Sequence, residues 1–186
     1  MKWQSAHFVG FSFGASTVVS FILGNHEKIL SAALLAPAGL LKISTEMERM
    51  LEDSRLKKEA TDVVFEYLGG RPSRETSDLE APLTGEPLAV ALRQWELVEH
   101  LGYRHSVLSM FRDGGARGRE EYFARAARSD TKIFAVVAEL DDVCSISALE
   151  RLGFEDVVMV EGVGHAFVRA VPARVALLLD EFWKKL

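Results

Sequence analysis

The sequence predicts an α/β fold: a truncated, mostly parallel sheet of about four strands, flanked by helices and carrying a helical insertion. Three observations carry that prediction. First, His7-Phe8-Val9 reads as a short apolar strand, and Ala15, Val18, Val19, Ile22 and Leu23 follow at i, i+3, i+4, i+7 and i+8, the spacing of one helix face. Second, Ile29–Pro37 (ILSAALLAP) is almost wholly apolar, as a strand covered on both faces must be, and such strands belong to parallel sheets. Third, strand character returns at Lys132–Ala138 (KIFAVVA) and Asp156–Val160 (DVVMV), with a short helix expected at Ser147–Leu152 between them.

The remaining elements follow from local chemistry. Ala170–Leu186 predicts the last helix: Pro172 suits its first turn, Val171, Val175, Leu178 and Phe182 share a face, and Lys184 and Lys185 complement the negative end of the dipole. Residues 42–129 read differently. Glu46–Lys58 is highly charged, with a thin apolar stripe at Met47, Met50 and Leu51. A Gly-, Pro- and Ser-rich loop spans Gly69–Pro87, after which Leu88, Leu92, Trp95 and Val98 recur at helical spacing. Arg112–Arg119 is irregular and Glu120–Arg128 is a short helix. The expected organisation is a core of 1–41 and 130–186, interrupted by a helical cap insertion at 42–129.

Bulk properties exclude several functions. A net charge of −5, with basic residues scattered from Lys2 to Lys185, provides no basic face for nucleic acid. The apolar stretches at 18–23 and 29–38 are too short and interrupted to span a bilayer. Cys144 is the only cysteine, so no intrachain disulfide or cysteine-based zinc site is expected, and a reducing, cytoplasmic compartment is compatible. Met1–Gln4 leads into a strand and does not read as a secretory signal. His7, His26, His100 and His105 lack partners at metal-ligand spacing, and neither metal nor organic cofactor is expected. Gly114–Arg119 lacks the Lys-Ser/Thr of a phosphate loop and reads as a flexible connection.

The residues that carry chemistry lie at strand ends. Gly10-Phe11-Ser12-Phe13-Gly14 is a G-x-S-x-G motif between strand and helix, a context that holds a serine in strained backbone geometry. Its glycines are expected to make room for neighbouring backbone that a Cβ would strike. A serine hydroxyl needs a base within reach, usually a histidine oriented by a carboxylate. Past the third strand comes Glu139-Leu140-Asp141-Asp142, and past the fourth comes Gly162-Val163-Gly164-His165. Asp141 is the expected acid, with Asp142 and Glu139 as competitors and helix capping the expected task of Asp142. The order Ser12, Asp141, His165 matches one of three known triad orders.

With these residues the chain resembles the α/β-hydrolase-fold serine hydrolases. The resemblance rests on the elbow, on Leu34-Leu35-Ala36-Pro37, on Ala138-Glu139-Leu140-Asp141 and on Gly162–His165, about half of the chain. It implies Ser12 as nucleophile, His165 as base, Asp141 as orienting acid and the Phe13 N–H as an oxyanion-hole donor. It implies a small apolar ester or related carbonyl substrate, with Phe11, Trp95 and Phe111 at the substrate. Helix packing is the competing reading for Trp95, Phe111 and Tyr122. The family pattern places several strands and a second oxyanion donor ahead of the elbow, which here begins at residue 10. The expectation is therefore the C-terminal portion of such a hydrolase, impaired in activity, with its first strand an apolar edge open to homodimer pairing. A non-catalytic remnant and a ligand-binding receptor are the rival expectations.

Overall fold

A computed structural model describes residues 4–68, 85–100 and 102–186, and the chain divides into two compact units, 1–42 with 115–186 and 43–114. The first unit holds strands β1 (Ala6–Phe11), β2 (Ile29–Leu35), β3 (Lys132–Ala138) and β4 (Val157–Val160) in one sheet, ordered β1-β2-β3-β4 and parallel throughout. Helix α1 (Phe13–Asn25) links β1 to β2. Four helices of the second unit, α2 (Thr45–Glu52), α3 (Lys57–Tyr67), α4 (Gly85–Glu99) and α5 (Tyr103–Arg112), precede α6 (Glu120–Ala127), which belongs to the first unit. Helix α7 (Ile146–Arg151) links β3 to β4, and α8 (Phe167–Ala170) and α9 (Pro172–Trp183) close the chain.

Period-two alternation explains why the central strands read as unbroken apolar runs. Ala32 and Leu34 of β2 and Ala135 and Val137 of β3 face Ala15, Val19 and Ile22 of α1, Phe123 of α6 and Leu149 of α7. Ala33, Leu35, Phe134 and Val136 face the other way, toward Phe167 of α8 and Val175 and Phe182 of α9. With helices on both faces, each of these side chains leaves water, and burial of a large aliphatic one contributes roughly 1.5–3 kcal/mol. Among the described residues β1 is one edge of the sheet and β4 the other, and Val9 on β1 is 45% exposed.

The registers align the carboxyl ends of the strands. Phe11 pairs with Leu35, Leu35 with Val136, and Ala138 with Val160. The residues after each strand thus emerge at a single edge of the sheet, where groups facing a ligand sit in open α/β sheets.

The expected insertion, 42–129, is longer than the compact second unit, 43–114. The difference lies in 115–129. Gly39 N–H donates to Ala116 carbonyl at 2.8 Å, Arg119 N–H donates back to the Gly39 carbonyl at 2.9 Å, and Ser16 Oγ donates to the Gly115 carbonyl at 2.7 Å. Phe123 and Ala126, three residues apart on α6, are fully buried in the core that holds Ile22. An irregular stretch followed by a short helix, with no strand signal, made this segment read as a continuation of the insertion, but two apolar residues on one face suffice to dock a short helix.

Within the second unit the described residues form helices only. Ser44 caps α2 by accepting from the Met47 N–H, and Met47, Leu51, Val64, Phe65, Leu108 and Phe111 are buried. The stripe Leu88, Leu92, Trp95 and Val98 does lie on a helix, α4, but its members are between 48% and 77% exposed. The loop expected over Gly69–Pro87 lies largely outside the described residues. No helix among the described residues is long and apolar enough to cross a membrane.

Candidate active site

The turn between β1 and α1 is the most constrained backbone in the first unit. Ser12 sits at φ 53°, ψ −121°, a region that side-chain-bearing residues avoid at a cost of order 1–3 kcal/mol. Three hydrogen bonds over-determine it. Ser12 N–H donates to the Leu35 carbonyl at 2.9 Å, and the Ser12 carbonyl accepts from Ala15 and Ala38 N–H at 3.0 Å each. Ala36 is strained in the same sense, at φ 42°, just past the neighbouring strand. The sequence marked Pro37 as the strand end; the strained residue before it, and the role of Ala38 in pinning Ser12, carried no pattern of their own.

The two glycines of the motif do different work. A Cβ on Gly10 would lie 2.6 Å from Ala15 Cα and from the Gly14 carbonyl oxygen, so only glycine admits that contact between strand and helix. Gly14 has open space around its Cβ position, with nothing within 4 Å. The expectation that both glycines relieve a collision therefore holds for Gly10 alone, because Gly14 is already within α1 and its missing side chain would point away from β1.

The structure brings Ser12, His165 and Asp141 together across 153 residues of sequence. His165 Nε2 lies 2.8 Å from Ser12 Oγ, and His165 Nδ1 lies 3.1 Å from both carboxylate oxygens of Asp141. The Asp141 side chain is wholly buried, that of His165 is 31% exposed, and the Val143 N–H donates to Asp141 Oδ1 at 2.9 Å. A buried carboxylate aimed at Nδ1 favours the tautomer with its proton on Nδ1, leaving the Nε2 lone pair for the serine hydroxyl. Phe13 is the first residue of α1, and an amide at the head of a helix has no intrahelical acceptor. The positive end of that helix lies at the same point.

Neither competitor of Asp141 does what the sequence suggested for it: Glu139 ties two loops together and Asp142 leaves the cap to a serine. Glu139 Oε2 accepts from the Gly162 N–H at 2.8 Å, and Leu140 N–H donates to the Val163 carbonyl at 2.9 Å, which ties the histidine loop to the turn after β3. Asp142 does not cap α7: Ser145 does, its hydroxyl accepting from the Ala148 N–H. Ser145 directly precedes α7 and its hydroxyl reaches the donor three residues on, so Asp142, three residues further back in the chain, is not needed.

The expected substrate contacts divide. Phe11 lies with its ring centroid 5.3 Å from that of His165. Trp95 is 56% exposed on α4. Phe111 is 1% exposed and stands edge-on to Tyr67, so little of its ring is left for a substrate to touch, and it is a packing residue. Tyr122 lies under the Arg119 guanidinium, 4.4 Å from ring centroid to Cζ. A cavity of about 380 Å³ borders Asp141 and is lined also by Leu40, Lys42, Cys144 and Arg151, while Ser12 and His165 do not line it. Among the described residues no group of His, Cys, Asp or Glu side chains is arranged to hold a metal ion.

Cys144, three residues past Asp141, is buried, and its thiol is pushed up to about 12, first by burial and then by the negative charge of Asp141. At pH 8 the thiolate fraction is then on the order of one in 10⁴. The native chain is expected to resist Ellman's reagent at that pH and to react fully in guanidinium; rapid reaction without denaturant would refute the burial. Because the raised group holds its proton more tightly when folded, its contribution is complete below about pH 9 and declines as the pH rises toward about 12.

No family model matches the sequence, and no curated protein matches it. Solved structures do match. A hydrolase from Pseudomonas aeruginosa PA01 superimposes with a TM-score of 0.66 at 16% identity, over 98% of this chain and 66% of its own. An esterase from Thermogutta terrifontis gives 0.63 at 15%, over 98% and 65%. A meta-cleavage product hydrolase from Pseudomonas fluorescens IP01 gives 0.61 at 18%, over 99% and 66%. The chain thus spans about two thirds of the length of each of these proteins. Its four parallel strands with helices on both faces superimpose on these proteins, and the chain has the α/β-hydrolase fold.

Proposed function

We propose that the chain is a serine hydrolase acting on a small apolar ester or a related carbonyl compound, with Ser12 as nucleophile, His165 as general base and acid, and Asp141 as the orienting carboxylate. One observation carries this reading: the unbroken hydrogen-bonded line from Ser12 Oγ through both nitrogens of His165 to a buried carboxylate. The resemblance to an esterase and to a meta-cleavage product hydrolase supports a carbonyl substrate.

In the first half-reaction Ser12 Oγ forms a bond to the carbonyl carbon as its proton passes to His165 Nε2, and the carbonyl π pair moves onto oxygen. The Phe13 N–H, at the positive end of α1, is the donor we assign to that oxyanion; such a donor is worth about 10²–10³ in rate. Collapse of the adduct expels the alkoxide, which takes the proton from Nε2 and leaves an acyl-serine. Water then repeats the sequence, giving its proton to His165 and its oxygen to the acyl carbon, and the proton returns to Ser12 Oγ. Asp141 keeps the imidazolium oriented and neutralised throughout without taking the proton.

A fluorophosphonate probe tests the proposal. The folded chain is expected to gain one covalent adduct on the peptide containing Ser12, and Ser12→Ala is expected to gain none. A soluble, folded wild-type chain that takes up no probe would refute the hydrolase reading and favour a fold used for ligand binding without turnover.

A further inference from the structure

Two hydrogen bonds do not fix an imidazole. Asp141 meets Nδ1 and Ser12 meets Nε2, at opposite sides of the His165 ring, so together they fix an axis and leave the ring free to roll about it. Burial does not stop that roll, since the His165 side chain is 31% exposed and its loop turns at Gly162 with φ +72°. A ring packed against it would, and Phe11 is such a neighbour. Its ring is tilted 32° from the plane of the imidazole at 5.3 Å between centroids.

Phe11 is itself held from two sides. Its backbone is the last rung of β1, paired with Leu35, and one peptide bond joins it to Ser12. Its ring stands nearly perpendicular, at 83° and 6.4 Å, to that of Phe167, which is fully buried and only two residues past His165. The same side chain thus touches the histidine and the residue that anchors the histidine loop, while being covalently next to the nucleophile. Its aromatic face also favours a positive charge in front of it, and the imidazole becomes cationic when it takes the serine proton. An aliphatic side chain of similar volume could fill the space but could supply neither a flat wall nor that charge preference.

We propose that Phe11, which the family resemblance places at the substrate, is a positioning residue that fixes the plane of the His165 imidazole. This inference rests on the triad reading of Ser12, His165 and Asp141. Phe11→Leu is expected to lower kcat for p-nitrophenyl butyrate about 5–10-fold, the size of a typical aromatic-pair contribution, with KM unchanged within about twofold. Phe11→Tyr, which keeps the ring, is expected to restore most of the rate. A rise in KM at constant kcat would instead make Phe11 a substrate wall and overturn the proposal, as would equal losses in the leucine and tyrosine variants.

A readout independent of turnover separates this idea from the triad reading. The ring protons of His165, identified by their disappearance in His165→Gln, are expected to be shifted upfield by the Phe11 ring current in wild type. In Phe11→Leu they are expected to lose that shift and broaden as the ring samples several orientations. If wild type proves inactive but shows these changes, positioning stands and the hydrolase reading falls. A single sharp His165 environment retained in Phe11→Leu overturns the proposal whatever the activity.

Discussion

Asp141→Asn is expected to lower kcat about 10⁴-fold while leaving the fold intact. The substitution preserves shape and replaces one oxygen by an NH2 group. The Val143 N–H needs an acceptor and holds the amide oxygen at the Oδ1 position, 2.9 Å away. The NH2 group then takes the Oδ2 position, 3.1 Å from His165 Nδ1, where the carboxylate offered a lone pair. Nδ1 answers by accepting, which moves the ring proton to Nε2, and a protonated Nε2 cannot receive the Ser12 proton. The charge that stabilises the imidazolium is lost as well. Asp142→Asn, one residue away and outside this network, is expected to retain activity within about twofold. Comparable losses in the two variants would remove Asp141 from its role.

The parts of this site legible in the sequence are those set by strand ends. β1 and β2 announced themselves as apolar runs, and a parallel sheet brings the segments after its strands to one edge, so Ser12, Asp141 and His165 were readable from their places after β1, β3 and β4. What was not legible depends on distances between side chains far apart in sequence. Phe11 and His165 are 154 positions apart, and no pattern distinguishes a ring that faces a histidine from one that faces a substrate. Helix α6 was placed with the insertion because it reads as one more short helix with no strand signal beside it, yet Phe123 and Ala126 reach the core between α1 and the sheet. On α4 the reverse occurred: a regular apolar stripe signalled a helix correctly but not a buried one, since Trp95 and Val98 remain exposed. Periodicity reports local conformation, whereas burial is decided by whichever element happens to lie opposite.

The two glycines of the serine turn give the same lesson as an experiment. A short motif treats Gly10 and Gly14 alike, but their surroundings predict opposite outcomes on substitution by alanine. The Cβ of Gly10→Ala would stand 2.6 Å from Ala15 Cα and 2.7 Å from Ala15 N, nearly an ångström inside ordinary contact, and both obstacles are backbone. Neither can rotate away, so β1 and α1 must separate. The expected cost is about 3 kcal/mol, at the upper end of overpacking, or a fall in Tm of roughly 6–12 °C for a chain of this size. Separation would also release the bonds from Leu35, Ala15 and Ala38 that hold Ser12 in its strained conformation. Activity should therefore fall further than the population of folded chain. Gly14→Ala meets nothing within 4 Å and replaces a poor helix former inside α1, so it is expected to leave Tm unchanged or raise it, by up to about 1 kcal/mol of stability. Thermal denaturation of both variants decides the matter. Equal destabilisation would mean that the motif needs two small residues for a reason other than the approach of strand to helix, and a tolerated alanine at Gly10 would mean that β1 and α1 can part without disturbing the serine between them.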